Sequence, residues 1–164
     1  MKHVVMFSGG VGSWAAARRV REANPEDPIL CLFADTLIED ADLYRFLKEA
    51  AADVAGELVV VAEGRTPWQV FFDKRYIGNS RIDPCSRILK RELLRKWLND
   101  NCDPDDTTVY LGFDANEERR FAKARAYWSP WAVAAPGLDK PLLLNIFLWL
   151  VTGSSVLMWS RLTN

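Results

Sequence analysis

Histidine is nearly missing from this chain: among 164 residues it occurs once, as His3, expected at a strand edge. Chemistry built on a histidine base or on a histidine metal cluster is thereby excluded. Cysteine is scarce too. Cys31, Cys85 and Cys102 are odd in number and share no paired spacing, so they imply neither a disulfide framework nor a zinc site, and no metal ligand is assigned. Net charge is also lacking, at −1. Nothing global draws the chain to nucleic acid or to an anionic membrane, and any basic site has to be local. The opening "MKHVVMF" is too short an apolar run for a signal peptide. With the cysteine usage, it places the expected compartment in the reducing cytoplasm.

What is present is the balance of a globular domain: 49% hydrophobic and 26% charged residues, in a length that suits one domain with a real core. One segment departs from it. No charge occurs from Pro141 to Ser160, a stretch long enough by hydropathy to be weighed as a membrane span. Asn145 and the run Thr152 to Ser155 interrupt it, and only Lys140 and Arg161 flank it. A buried or partner-facing element, with self-association open, is the preferred reading. The organisation expected is an α/β domain over 1–135 and an apolar tail over 136–164.

Along the first part, strand and helix patterns alternate. Val4–Phe7, "ILCLFAD" (Ile29–Asp35) and "ELVVVAE" (Glu57–Glu63) are continuous apolar runs, the mark of strands covered on both faces. "TTVYLGF" (Thr107–Phe113) is the fourth. Helices are expected over Ser13–Ala23, Glu39–Ala55, Ser86–Asp100 and Ala115–Trp128. The second has an apolar stripe of Leu43, Phe46, Leu47, Ala50 and Val54. This order predicts a doubly wound, mainly parallel sheet with helices on both faces. Ligands in such sheets sit beyond the carboxyl ends of the strands. The unusual loops, Ser8–Ser13, Asp35–Glu39 and Gly112–Glu118, all fall there.

The first of these loops, "SGGVGS" (Ser8–Ser13), joins a strand to a helix. Its backbone N–H groups face an anion at the positive end of the helix dipole, and the Ser8 and Ser13 hydroxyls add donors. A Walker loop is excluded, because Gly12 is followed by Ser13 and Trp14 rather than by a Lys-Ser/Thr pair. A dinucleotide fingerprint fits Gly10, Gly12 and Ala15, with Asp35 as the ribose acid, so an NAD(P)-dependent oxidoreductase is a rival.

The other fit is the pyrophosphate-loop pattern SGGxDS. From here the chain resembles the phosphoadenosine phosphosulfate (PAPS) reductase-like branch of the adenine nucleotide α-hydrolase superfamily, which includes the PP-loop ATP pyrophosphatases. Four ordered blocks over about residues 3 to 130 carry the resemblance. They are the loop itself, "LFADTLIEDADLYRFL" with Asp35 and Thr36, "DPCSRILKRELL" with Cys85, Arg87 and Lys90, and "YLGFDANEERR" with Gly112, Arg119 and Arg120.

The resemblance implies that the amides of Gly9, Gly10, Val11, Gly12 and Ser13 hold the phosphate or sulfate of an adenine nucleotide. Phe33, Ala34 and Asp35 would receive adenine and ribose, with Thr36 beside them, although Asp35 fits a cap of the following turn equally well. Arg87, Lys90 and one of Arg119 and Arg120 would be further phosphate ligands, while Arg91, Arg95 and Lys96 read as a solvated helix face. Arg81 belongs to the same basic segment. Cys85 and Lys90 are the candidates for a catalytic role, the thiol being near arginines and a helix start.

The ligand implied is ATP, an adenylyl sulfate or PAPS, with magnesium as a possible companion; the partner is a small molecule, not a nucleic acid. Two departures stand out. Gly12 replaces the family's aspartate, and no cysteine follows Cys102 to serve a sulfonucleotide reductase. A non-catalytic nucleotide- or partner-binding module is therefore a further reading.

Overall fold

The computed structural model describes residues 1–77 and 83–138. Arg81 and the uncharged stretch from Pro141 to Ser160 lie outside the described residues. In chain order the elements are β1 (Lys2–Met6), α1 (Val11–Ala23), β2 (Ile29–Asp35), α2 (Ala41–Asp53), β3 (Glu57–Ala62), α3 (Pro67–Lys74), α4 (Leu93–Asn101), β4 (Thr107–Tyr110), α5 (Glu118–Trp128) and β5 (Ala132–Ala134). The strands form one parallel sheet in the order β3-β2-β1-β4-β5. The chain winds outward from β1 through β2 to β3 and returns on the other side of β1 as β4. The strand order thus reverses between β1 and β4, which opens a crevice at their carboxyl ends.

Alternation along the strands divides the core into two layers. Val5, Cys31 and Phe33 point to one face and pack with Trp14, Val20, Leu43 and Phe46 of α1 and α2. Val4, Leu32 and Ala34 point to the other, against Leu94 and Leu98 of α4 and Trp128 of α5. The doubly wound sheet expected from the sequence is the one observed. The α2 stripe is buried in full, from Leu43 to Val54. Its N-terminus is fixed by Asp40, whose side chain accepts from the Leu43 amide at 2.8 Å.

Three local differences bear on function. The helix expected at Ser86–Asp100 begins as a wide, π-helical segment over Ser86–Glu92 before α4. Its buried leucines, Leu89, Leu94 and Leu98, are five and then four apart. The wide turn is what brings a five-residue step onto one face. β4 stops at Tyr110 rather than Phe113, and the helix after it starts with a tight 3₁₀ turn at Ala115–Glu117. Asp114 caps that turn, accepting from the Ala115 amide at 2.8 Å, while Glu117 accepts from the Asp114 amide at 3.1 Å.

His3 is the third difference. It is buried, 2% exposed, in the central strand rather than at an edge. Its Nδ1 lies 2.9 Å from the Tyr110 hydroxyl and its Nε2 3.0 Å from Asp27 Oδ2. These partners satisfy both ring nitrogens, which is what lets a histidine sit there. The cluster is at the amino end of the sheet, opposite the loops.

Candidate functional site

The loop after β1 is shaped by two glycines that no other residue replaces freely. Gly9 has φ +74°, and a Cβ on it would stand 2.9 Å from Leu43 Cγ of α2. Gly12 meets Gly112 backbone to backbone. A Cβ on Gly112 would lie 2.7 Å from Gly12 C and Ser13 N, and one on Gly12 would lie 3.1 Å from the Gly112 carbonyl oxygen. The loops that follow β1 and β4 therefore touch at the point where the strand order reverses.

Among the described residues, the amides of Gly9, Gly10, Val11 and Gly12 have no acceptor. The Ser13 and Trp14 amides already donate to the Gly10 carbonyl, at 3.2 and 3.3 Å. Four unpaired donors at the start of a 13-residue helix form an anion cradle. Ser13 works differently from the sequence expectation. Buried, its hydroxyl donates to the Gly10 carbonyl at 2.8 Å and accepts from the Ser8 amide at 3.2 Å, so it braces the loop. Ser8 is exposed, and its hydroxyl, 3.2 Å from Ser13 Oγ, is the one that turns outward at little cost.

At the end of β2, Phe33 and Ala34 are buried in opposite core layers, leaving only their backbone for a ligand. Asp35 Oδ1 accepts from the Leu37 amide and from the Tyr44 hydroxyl, both at 2.8 Å. Leu37 has φ +64°, so this carboxylate holds a strained turn in place. The buried Thr36 hydroxyl donates to Glu39 at 3.1 Å, and Glu39 draws in Lys90 Nζ at 3.7 Å. These residues, with Cys85 and Ser86, line a hollow of about 340 Å³.

Cys85 does not have the activated thiol expected from its place near a helix start. Burial and the neighbouring Asp83 push its pKa up from the ordinary 9.0. Its Sγ donates to the Pro67 carbonyl at 3.7 Å. Such a thiol is neutral at pH 7 and a weak nucleophile.

The remaining basic residues are divided by the wide turn. Lys90 faces the hollow by β2, whereas Arg87 and Arg91 face α5 across a second hollow of about 580 Å³, which Arg120 and Lys123 also line. Gly112 belongs to a third, of about 130 Å³, with Gly12, Arg19 and Asp114. Arg119 is exposed and lines none of the three. Arg91 is thus a cleft residue rather than plain solvated surface. Arg95 is more clearly different: it donates to the Tyr127 carbonyl and, at 2.7 Å, to the Ser129 carbonyl, with its guanidinium 5.3 Å from the Tyr127 ring. Lys96 alone of the three is the solvated residue expected, 75% exposed and paired with Asp100. Lys123, Phe113, Tyr127 and Arg19 were not expected at any site. Their only sequence signal was position, since all four follow or face the β1 and β4 loops.

No family model and no curated protein matches the chain. Among solved structures it is similar to the U34-tRNA thiolase NcsA from Methanococcus maripaludis, a structure holding a [4Fe-4S] cluster. The likeness has a TM-score of 0.62 and 14% identity, and covers 94% of this chain but only 58% of that one. It shows the fold alone, an α/β arrangement around a parallel sheet. The residues here do not fit the cluster: among those described, no three of His, Cys, Asp or Glu are grouped to hold a metal. Cys31 is buried inside β2, Cys85 lines the hollow by β2, and Cys102 ends α4. Among the described residues, no helix is long and apolar enough to cross a membrane.

Proposed function

We propose that this chain is an adenine-nucleotide-binding PP-loop protein and an enzyme acting at the phosphates of ATP or at the phosphate or sulfate of an adenylyl sulfate. One observation carries the reading: four successive backbone amides, Gly9 to Gly12, have no acceptor among the described residues and lie at the carboxyl end of the central strand, at the crevice between β1 and β4. The phosphates lie on these amides, with the Ser8 hydroxyl and the Lys90 ammonium beside them. The adenine and ribose lie along the backbone at the ends of β2.

Within this class, ATP cleavage between the α and β phosphates is favoured over sulfonate reduction. An acceptor atom bonds to the α phosphorus, the bond to the bridging oxygen breaks, and pyrophosphate leaves. Sulfonate reduction needs a reactive thiol. Burial raises the pKa of all three thiols, Cys85 with help from Asp83, Cys31 up to about 12, and Cys102. Magnesium, where it takes part, would offset the charge of the phosphates, and Gly12 offers it no carboxylate. The rival NAD(P) reading loses its ribose acid in part, as Asp35 Oδ1 is committed to its own turn.

Calorimetric titration with ATP, adenylyl sulfate, PAPS and NAD, coupled to an assay for AMP and pyrophosphate, tests the reading. Binding of an adenylate without NAD is expected, with pyrophosphate formed once the acceptor is supplied and AMP released when a second nucleophile displaces it from the adenylated acceptor. Binding of NAD alone contradicts it. Adenylate binding without turnover for any acceptor reduces the protein to a nucleotide-binding module.

A further inference from the structure

The cleft between the π-helical segment and α5 holds Arg87 and Arg120, expected from the sequence as phosphate ligands. It shares only Phe113 with the hollow at Gly12, and the nucleotide site proposed above does not use it. We infer that it is a binding pocket for a second ligand, a small, flat, anionic molecule such as an aryl phosphate or aryl carboxylate.

Charge is the first argument. Arg87 and Arg91, four apart, line one side, and Arg120 and Lys123, three apart, line the other. Both spacings put each pair on one helical face. The carboxylate lining the cleft is Glu92, and it faces Arg87 at 3.5 Å. Arg120 pairs with Glu117 at the mouth of α5. Arg91 and Lys123 have no hydrogen-bond or ion-pair partner among the described residues. Two like-charged faces across one hollow repel each other, and an anion between them reverses the sign of that interaction.

The walls supply the second argument. Phe113 and Tyr127 line the same cleft over a floor of buried Leu111 and Trp128. These rings are held in place: Phe113 packs edge-on against Phe121 at 6.0 Å, Tyr127 against Trp128 at 5.0 Å, and Arg95 covers Tyr127 at 5.3 Å. Fixed aromatic walls beside guanidinium groups suit a flat ring that carries a negative substituent. A volume of about 580 Å³ is that of a small-molecule pocket. An extended nucleic-acid footprint would want a longer basic stripe on a positively charged chain, whereas this one has net charge −1. Phe113 also lines the small hollow that contains Gly12 and Gly112, so the pocket adjoins the phosphate loop.

The test is a titration of the full chain with phenyl phosphate, in the presence of saturating ATP, with inorganic phosphate and a single-stranded RNA oligonucleotide as comparisons. Phenyl phosphate is expected to bind more tightly than inorganic phosphate, with an affinity that ATP does not alter. Arg91→Gln and Lys123→Gln are each expected to weaken it about tenfold, with thermal unfolding unchanged. Displacement by ATP overturns the proposal, as does unchanged affinity in both variants. Binding of the RNA without phenyl phosphate also overturns it. Failure of ATP to bind, with phenyl phosphate still bound, defeats the nucleotide reading and leaves this one standing.

Discussion

The backbone of Gly112 rests against the backbone of Gly12, with 2.7 Å between the position of a Gly112 Cβ and the Gly12 carbonyl carbon. This glycine pair locks the loop after β4 onto the loop after β1. Gly112→Ala places a methyl group against backbone that has no flexible end to move. It is expected to lower stability by about 1–3 kcal/mol and to weaken ATP binding. Gly12→Ala, with its nearest contact at 3.1 Å, is expected to cost less on both counts. Urea midpoints and ATP titration of the two variants check the ordering.

Lys90 is held near the end of β2 by Glu39, which is itself fixed by Thr36. A phosphate arriving on the loop competes with that carboxylate for the ammonium. Lys90→Met is expected to weaken ATP about tenfold. Glu39→Gln, which removes the competitor, is expected to tighten it. Equal affinities in all three proteins would remove Lys90 from the site.

Acid stability rests partly on the cluster at the other end of the sheet. The hydrogen bond with His3 holds the Asp27 carboxyl below its ordinary value of 3.8. The unfolded chain takes up this proton first, so the contribution is present above pH 3.8 and is lost as the pH falls through the lower folded value. Asp27→Asn is expected to flatten the fall in urea midpoint below pH 3.8. An unchanged slope would show that this pair has no part in acid unfolding.

Arg95 ties α4 to the carboxyl end of α5 through two backbone carbonyls while stacking on Tyr127 and Trp131. Lysine keeps the charge but cannot make the planar fork. Arg95→Lys is therefore expected to destabilise by about 1–3 kcal/mol in chemical denaturation, and a neutral result would contradict the bridge.

The central strands and α2 were legible in the sequence because their burial is complete and their periods are uninterrupted, as Ile29–Asp35 and the Leu43–Val54 stripe show. α3 was not read, although its signals are present: Thr66 caps it, Pro67 opens it and Gln69 closes a capping box. Eight residues with only Val70 buried carry too little periodicity to be seen. β5 is three residues long, below the length at which alternation means anything.

The phosphate loop could be placed from its glycines, but the role of Ser13 as brace could not, since a hydroxyl's partner depends on the turn it closes. The basic residues were visible as one cluster. Their division between two hollows follows from a wide helical turn, whose five-residue step from Leu89 to Leu94 looks like ordinary helical scatter in a sequence.

Nucleotide binding at the loop is read most directly from its amides. In an amide-resolved NMR titration of the full chain with ATP, the signals of Gly9, Gly10, Val11 and Gly12 are expected to move most, followed by Lys90, with His3 and Asp27 unmoved. Saturable ATP binding that leaves those four amides unshifted, or no ATP binding at all, would contradict it.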